Sequence, residues 1–496
     1  WQDPGGAELM VMYESGYGSA FEIPGLPHSI AFGHTMDNMG PQSVEQVADV
    51  YREIRAALPG SHVFASTLSA FAQHLESVRA ALPVITDEIG DTWIHGVGSD
   101  PVKVSRFREL LRLREEWIKA GRASYADRRF VNFNRRLLLV PEHTWGMDEK
   151  TWLNDHESYS REKFQAARNQ AHFKRFESSW VEKRAYIQQA VNALEDHPLN
   201  AEARERLEAI RPQYPDMAEW QEADNTTLTL ENEHLSVAFD GKIGTVLRLM
   251  QAKNRERWVD EGGRFSALSY QTFSSADYER FFNSYILETQ RHGWALEDFT
   301  KPGMEAEDAE SRLWLPRVKT IRRRGCDLAA QLLFQLEFDA EARTRYGAPG
   351  DVFVQYTLPT DEPALMVDLQ WFNKQACRLP EAMWMSFEPL VDGSEAWWIE
   401  KLGSEISPLK VVENGNRHLH ASGKYVACRR PYASLRLSAL DSPLVAPGQR
   451  SLLDFNNQQP DMRGGVHFCL LNNLWGTNFP MWFEEDCRFR FELKFA

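Results

Sequence analysis

The spacing of apolar positions changes along the chain, and each change predicts an element. Glu8 to Glu14 reads as a strand-like run. Ile30, Ala31 and Phe32 form a second short strand that breaks at the polar turn His34, Thr35, Met36, Asp37, Asn38. Ser43 then opens a helix as N-cap, with Gln46 as its capping-box partner and Val44, Val47, Val50, Ile54 and Leu58 on one face. His62 to Ala65 is a further short strand. Leu68, Phe71, Leu75, Val78 and Leu82 recur every three or four residues, the stripe of an amphipathic helix. Pro83 to Thr86 is the next strand, running into Asp87, Glu88, Ile89, Gly90, Asp91, Thr92 and Trp93, and another helix starts near Pro101. Such alternation predicts a parallel sheet, with any chemistry on the loops that follow the strands' C-terminal ends. Those loops carry His34, Asp37, Asn38, Glu88 and Asp91. The strands before residue 100 are too few to close a barrel.

From about residue 102 to 210 the pattern is helical and rich in charge, and Pro212 and Pro215 end it. From Thr226 onward, alternating runs such as Thr227 to Phe239, Val352 to Leu358, Ala364 to Phe372 and Phe489 to Phe495 predict an all-β region. The expected organisation is a multidomain α/β plus all-β chain. Residues 1–120 are the C-terminal part of a (β/α) barrel, 121–221 a helical segment and 222–496 a β super-sandwich.

Composition narrows the partners. The 496 residues carry a formal net charge of -15 with no basic stripe, which argues against nucleic acid and against an anionic membrane surface. No apolar run approaches the roughly 20 residues of a spanning helix. The five cysteines lack close pairing, which disfavours zinc-finger and redox motifs and favours free thiols in a reducing, cytoplasmic setting. Secretion stays open, and oligomeric state is not encoded in any pattern. The chain opens on Trp1 within a few residues of a strand signal, so it is expected to start inside a domain.

Leu82 to Leu110 resembles a late barrel segment of glycoside hydrolase family 38, the retaining α-mannosidases, through a Gly-Asp followed by aromatics shortly before a helix start. Leu228 to Met250 is similar to the opening of that family's β super-sandwich, a galactose-mutarotase-like fold. Phe372 to Phe387 and Leu471 to Trp482 are similar to a little-characterised branch of it. The resemblance implies a partial (β/α) barrel, a helical bundle, a carbohydrate substrate and a zinc ion. It places His143 as a zinc ligand, oriented by Glu142 or Asp148, with the remaining ligands and the nucleophile expected upstream of Trp1.

Retaining cleavage of a glycoside needs two carboxyl groups roughly 5 Å apart. Asp91 is the candidate acid, with Glu88 and Asp87 nearby to raise its pKa; Gly-Asp is also ordinary turn chemistry. His34, Asp37 and Asn38 are candidates for binding sugar hydroxyls, although an Asx turn before Gly40 and Pro41 explains the same residues. Trp93 and Trp145 are candidate sugar-stacking rings, whereas Trp397, Trp398 and Trp482 fit sandwich packing better. Arg378 and Glu381 read as an ion pair that fixes a loop, and Asn473 and Asn478 as residues that reach from the sandwich toward the barrel. The expected activity is metal-assisted retaining α-glycoside hydrolysis. A polysaccharide lyase and a non-catalytic carbohydrate-binding protein are the alternatives.

Overall fold

A computed structural model describes residues 1–13, 20–35, 40–90, 92–223, 228–260, 262–291, 293–326, 328–391, 393 and 396–496. Asp37, Asn38, Asp91, Glu14, Thr226 and Thr227, all used in the sequence reading, lie outside the described residues. By its contacts the chain divides into Trp1–Asp87 and Glu88–Ala496.

In Trp1–Asp87 the periodicity produces its helices, α1 (Val44–Ala57) and α2 (Leu68–Leu75). Ser43 and Gln46 form the expected capping box on α1, and Thr67 caps α2 through the amide of Ala70. The strand signals yield less. Ala20–Phe21 pairs antiparallel with Ile30–Ala31, and no parallel ladder joins the described segments at 62–65 and 83–86. A parallel sheet needs both faces covered, and Phe71 is the one buried side chain among this unit's described residues.

Glu88–Ala496 joins a helical segment to a β super-sandwich, as the expected fold class has it. The helices are α3 (Pro101–Lys119), α4 (Arg128–Leu137), α5 (Glu149–Trp152), α6 (Arg161–Ala167), α7 (Ala171–Asn192) and α8 (Leu199–Ala209). Asp100 starts α3 by accepting from the amide of Lys103, with Pro101 at the first position, where a missing N–H costs nothing. Leu110, Leu113 and Trp117 of α3 close a core with Phe130, Phe133 and Leu137 of α4 and Ile187 and Val191 of α7.

Two ten-stranded sheets follow. The first runs in the spatial order Ser404–Ile406, Trp397–Lys401, Val426–Arg429, Ser434–Ala439, Cys487–Phe495, Ala364–Phe372, Asp351–Pro359, Ala329–Glu337, Arg317–Cys326, Gln221–Glu222. The second is centred on Glu381–Phe387, flanked by Val466–Asn472 and Phe265–Thr272, with all pairings antiparallel. Strands such as Leu235–Phe239 alternate buried and half-buried positions, whereas every residue of Glu381–Phe387 is buried. Phe387 and Phe468 of the second sheet meet Phe491 of the first at 5.4 and 5.7 Å between ring centroids.

Ion pairs fasten the helices to the sandwich. The Arg108 guanidinium donates to the carbonyls of Ser422, Gly423, Ala439 and Leu440. Glu109 is buried among Arg112, Arg206 and Arg490. Burial opposes its charge, but the guanidiniums of Arg112 and then Arg490 hold its carboxyl down to about 2. Further helices include α9 (Ser275–Tyr285) and α10 (Trp294–Phe299), between strands of the second sheet. Among the described residues no helix is long and apolar enough to cross a membrane. Among the described residues Cys326 is exposed and the other four cysteines are buried.

Candidate functional site

The residues picked from sequence separate in the structure. His34 is exposed in Trp1–Asp87. Glu88 is half-buried: its backbone bonds Lys410 and Val412, and its carboxylate takes a 2.7 Å hydrogen bond from Lys401. His143 is exposed, with its Nδ1 2.8 Å from Glu142. Arg378 and Glu381 are each ion-paired, but to partners other than those expected. Arg378 meets Asp155 at 2.6 Å, and Glu381 meets Lys374 at 2.8 Å with both side chains fully buried. Asn473 serves the same buried knot, accepting from the amide of Glu381 and donating to Cys377 and Leu379. The carbonyl of Asn478 accepts from the amide of Trp145.

Trp93 and Trp145 both pack against Phe479, at 6.1 and 6.0 Å between ring centroids. Trp145 is buried with the Lys103 ammonium 3.4 Å from its ring centroid. Burial pushes Lys103 down to about 7. Trp93 remains 39% exposed and packs on Phe299 and Trp475. Trp294, 51% exposed, packs on the same Phe299 at 6.3 Å. Two accessible indole rings therefore share one aromatic base.

An acid–base group missed by the sequence reading adjoins this base. Asp148 caps α5 through the amide of Thr151, which sets Glu149 at the first helical position. Lys150 bridges Asp148 on its own turn and Asp298 on α10. Asp155 accepts from the amide and hydroxyl of Ser158 and from Arg378, fixing the loop that carries His156. His156 Nε2 then lies 3.7 Å from Glu149 and 3.8 Å from Glu297 of α10.

Two glycines make the assembly possible by close approach. A Cβ on Gly303 would stand 1.8 Å from the His156 carbonyl oxygen, and one on Gly476 would stand 2.5 Å from that of Glu297. Either would push the backbone away.

The three side chains differ in access. Glu149 is 2% exposed, whereas the side chains of His156 and Glu297 are 31% and 30% exposed. Burial pushes the Glu149 carboxyl up, with His156 and Arg378 pulling it back. Glu149 Oε1 and His156 Nε2 are buried atoms without a hydrogen bond in the structure. Glu149 and His156 therefore stand within ion-pair distance without a hydrogen bond, a separation of the kind that tightens in substrate complexes of acid–base sites. Glu297 supplies the second carboxyl on the open side.

The described residues do not assemble a zinc centre around His143. Catalytic zinc takes about three protein ligands, the His143–Glu142 pair offers two, and no group of three or more potential ligands forms among the described residues. Sequence spacing could not have revealed Glu149, His156 and Glu297, because α10 is separated from α5 by more than a hundred residues. The one local signal is Asp148 ahead of a short helical turn.

A helix-bearing β super-sandwich with an acid–base cluster beside exposed indoles is the class of protein that fold and site define. The chain belongs to the family described as "Domain of unknown function (DUF5054)", whose model matches residues 97–366. Among solved structures, it is similar to a protein in glycosyl hydrolase family 38 from Enterococcus faecalis, with 9% identity over 92% of this chain and 63% of that one, TM-score 0.44. It is similar to an α-mannosidase from Enterococcus faecalis V583, with 8% identity over 55% of this chain and 30% of that one, TM-score 0.36. A putative aldose 1-epimerase from Escherichia coli K12 aligns with 12% identity over 54% of this chain and 98% of that one, TM-score 0.28. The chain thus spans less than two thirds of either Enterococcus protein. No curated protein matches it.

Proposed function

We propose that this protein acts on carbohydrate, with His156 and Glu297 as its acid–base pair, Glu149 as the residue that positions His156, and Trp93 and Trp294 as the rings that receive the sugar. The observation that carries the reading is the placement of half-exposed His156 between a buried and an accessible carboxyl, next to two exposed indoles on one base. Sugar rings present apolar C–H faces that bury well against indole. Cleaving a glycosidic bond needs one group to protonate the leaving oxygen and another on the opposite side to attack or to activate water. His156 and Glu297, 3.8 Å apart, are too close to flank a sugar ring and suit the first task together, with buried Glu149 holding the imidazole.

The finer reading is retaining α-glycoside hydrolysis of the α-mannosidase type with Asp91 as the acid. It rests on the resemblance of Leu82 to Leu110, and it competes with His156 for the same task. Aryl α-glycoside hydrolysis separates them. His156→Ala and Glu297→Gln are expected to lower kcat about 100-fold or more, Glu149→Gln to displace the pH–rate profile, and Trp93→Ala to raise KM. An unchanged kcat in both His156→Ala and Glu297→Gln overturns the assignment, and a 100-fold loss confined to Asp91→Asn moves the acid to Asp91. Sugar binding weakened by Trp93→Ala in a protein without turnover would mark a carbohydrate-binding protein.

A further inference from the structure

A cleft of about 400 Å³ opens between the first turns of α3, the bend at Ile210 to Pro212 and the segment Glu484 to Arg488. Its charges are paired almost throughout. Glu484 is held by Arg168 and Glu485 by Arg184. Arg488 meets Asp368 and Arg211 meets Glu208. Two groups stand apart. Asp486 is exposed and accepts a hydrogen bond from the amide of Asn373. Arg106 is half-buried in the cleft wall and makes no hydrogen bond or ion pair with any described residue.

A half-buried arginine in this state is unusual among the described residues of the unit, where Arg108, Arg112, Arg184, Arg488 and Arg490 pair with carboxylates or carbonyl oxygens. Burial is the main influence on Arg106; the neighbouring Arg184 and Arg211 add positive potential, and Glu485 and Asp100 offset part of it. A partly desolvated guanidinium presents a planar fork of donors that fits a carboxylate or phosphate oxygen pair, and the pairing strengthens away from bulk water. The volume lies at the small end of ligand pockets. Across the same cleft, Asp486 offers carboxylate oxygens, which accept hydroxyl protons and repel a second anionic group.

We propose that this cleft binds a small hydroxylated anion, its carboxylate or phosphate group on Arg106 and its hydroxyls toward Asp486. The site shares no residue with the Glu149, His156 and Glu297 cluster and stands independently of the function proposed for it.

Calorimetric titration of the whole protein with glucuronate, glucose 6-phosphate and glucose tests this. At least one anion is expected to bind saturably and at least 10-fold more tightly than glucose, and Arg106→Gln is expected to weaken it about 10-fold or more. Arg106→Lys, which keeps the charge without the fork, should fall between. Binding of glucuronate alone identifies a carboxylate ligand, and of glucose 6-phosphate alone a phosphate ester. His156→Ala should leave the affinity unchanged, which separates this site from the other. Arg106 makes no hydrogen bond with any described residue, so Arg106→Gln should melt as the parent does. Failure of both anions to bind, glucose binding as tightly as they do, or equal affinity in Arg106→Gln would each overturn the proposal.

Discussion

Trp1–Asp87 and Glu88–Ala496 contain helices with the same kind of amphipathic spacing, yet they are stabilised differently. α1 is 14 residues long with a full capping box and not one buried residue; Val44, at the start of its apolar stripe, is 81% exposed. α3 is 19 residues long, and its Leu110, Leu113 and Trp117 are completely buried. A helix of about 12 to 15 residues is marginal in water without tertiary packing. Periodicity therefore predicts where a helix forms, and burial decides how firmly it holds. The same holds for strands: Glu381–Phe387 lies in the middle of a sheet with both faces covered, while Ala20–Phe21 has a single two-residue partner.

Core truncation tests the contrast most directly. Trp384 is fully buried in that central strand and donates to Gln271. Trp384→Ala should cost about 3–5 kcal/mol in denaturant unfolding, against a few tenths for Val44→Ala. Comparable losses at the two positions would erase the distinction between the units.

Acid should act through the same core. Burial pushes His95, His420 and His467 down to about 3. Lys401 contributes at His420 and Arg450 at His467. These rings stay neutral in the fold, while the unfolded chain takes up protons below its ordinary histidine range near pH 6.5. Stability is therefore lost as pH falls from about 6.5 toward 3, on the order of 2 kcal/mol per histidine by pH 5. Glu109, held down to about 2, works in the same sense below about pH 4.5. Glu381, Asp298 and Glu388, pushed up chiefly by burial, work against it. The expected net result is a lower Tm at pH 5 than at pH 7.5, recovered in part by His467→Gln. A Tm that rises on acidification would show that the carboxyls dominate.

What sequence could show follows from range. The capping box of Ser43 and Gln46 is local chemistry and was legible. So was the alternation of Cys487–Phe495, because one face of that strand is less buried than the other. Glu381–Phe387 loses its period by being buried on both faces, and its Glu381 was readable as a charge but not as the partner of Lys374. Glu149, His156 and Glu297 escaped altogether, since only the folded contact of α5 with α10, tied by Lys150 and Asp298, brings them together. His143 was implied as a zinc ligand by the family resemblance alone, and in the structure it is exposed beside Glu142.

The smallest expected effect concerns the cap itself. Ser43 accepts from the amide of Gln46, and the Gln46 side chain accepts from the amide of Ser43. Ser43→Ala removes the first of these and should cost α1 about 1 kcal/mol. In a helix with a buried face that loss would be spread over the global unfolding transition. In α1, which has no fully buried residue, it should appear instead as faster amide exchange confined to residues 44–57, with the melting of Glu88–Ala496 unchanged. Glu45 lies in the same first turn, where hydrogen bonds from the backbone and Ser43 lower its carboxyl pKa. Its charge should therefore retain part of the helix in the variant, and Glu45→Gln added to Ser43→Ala should raise exchange further. If exchange in 44–57 stays as slow as in α3 after both changes, α1 is held by packing after all, and the contrast between the two units fails at its clearest point.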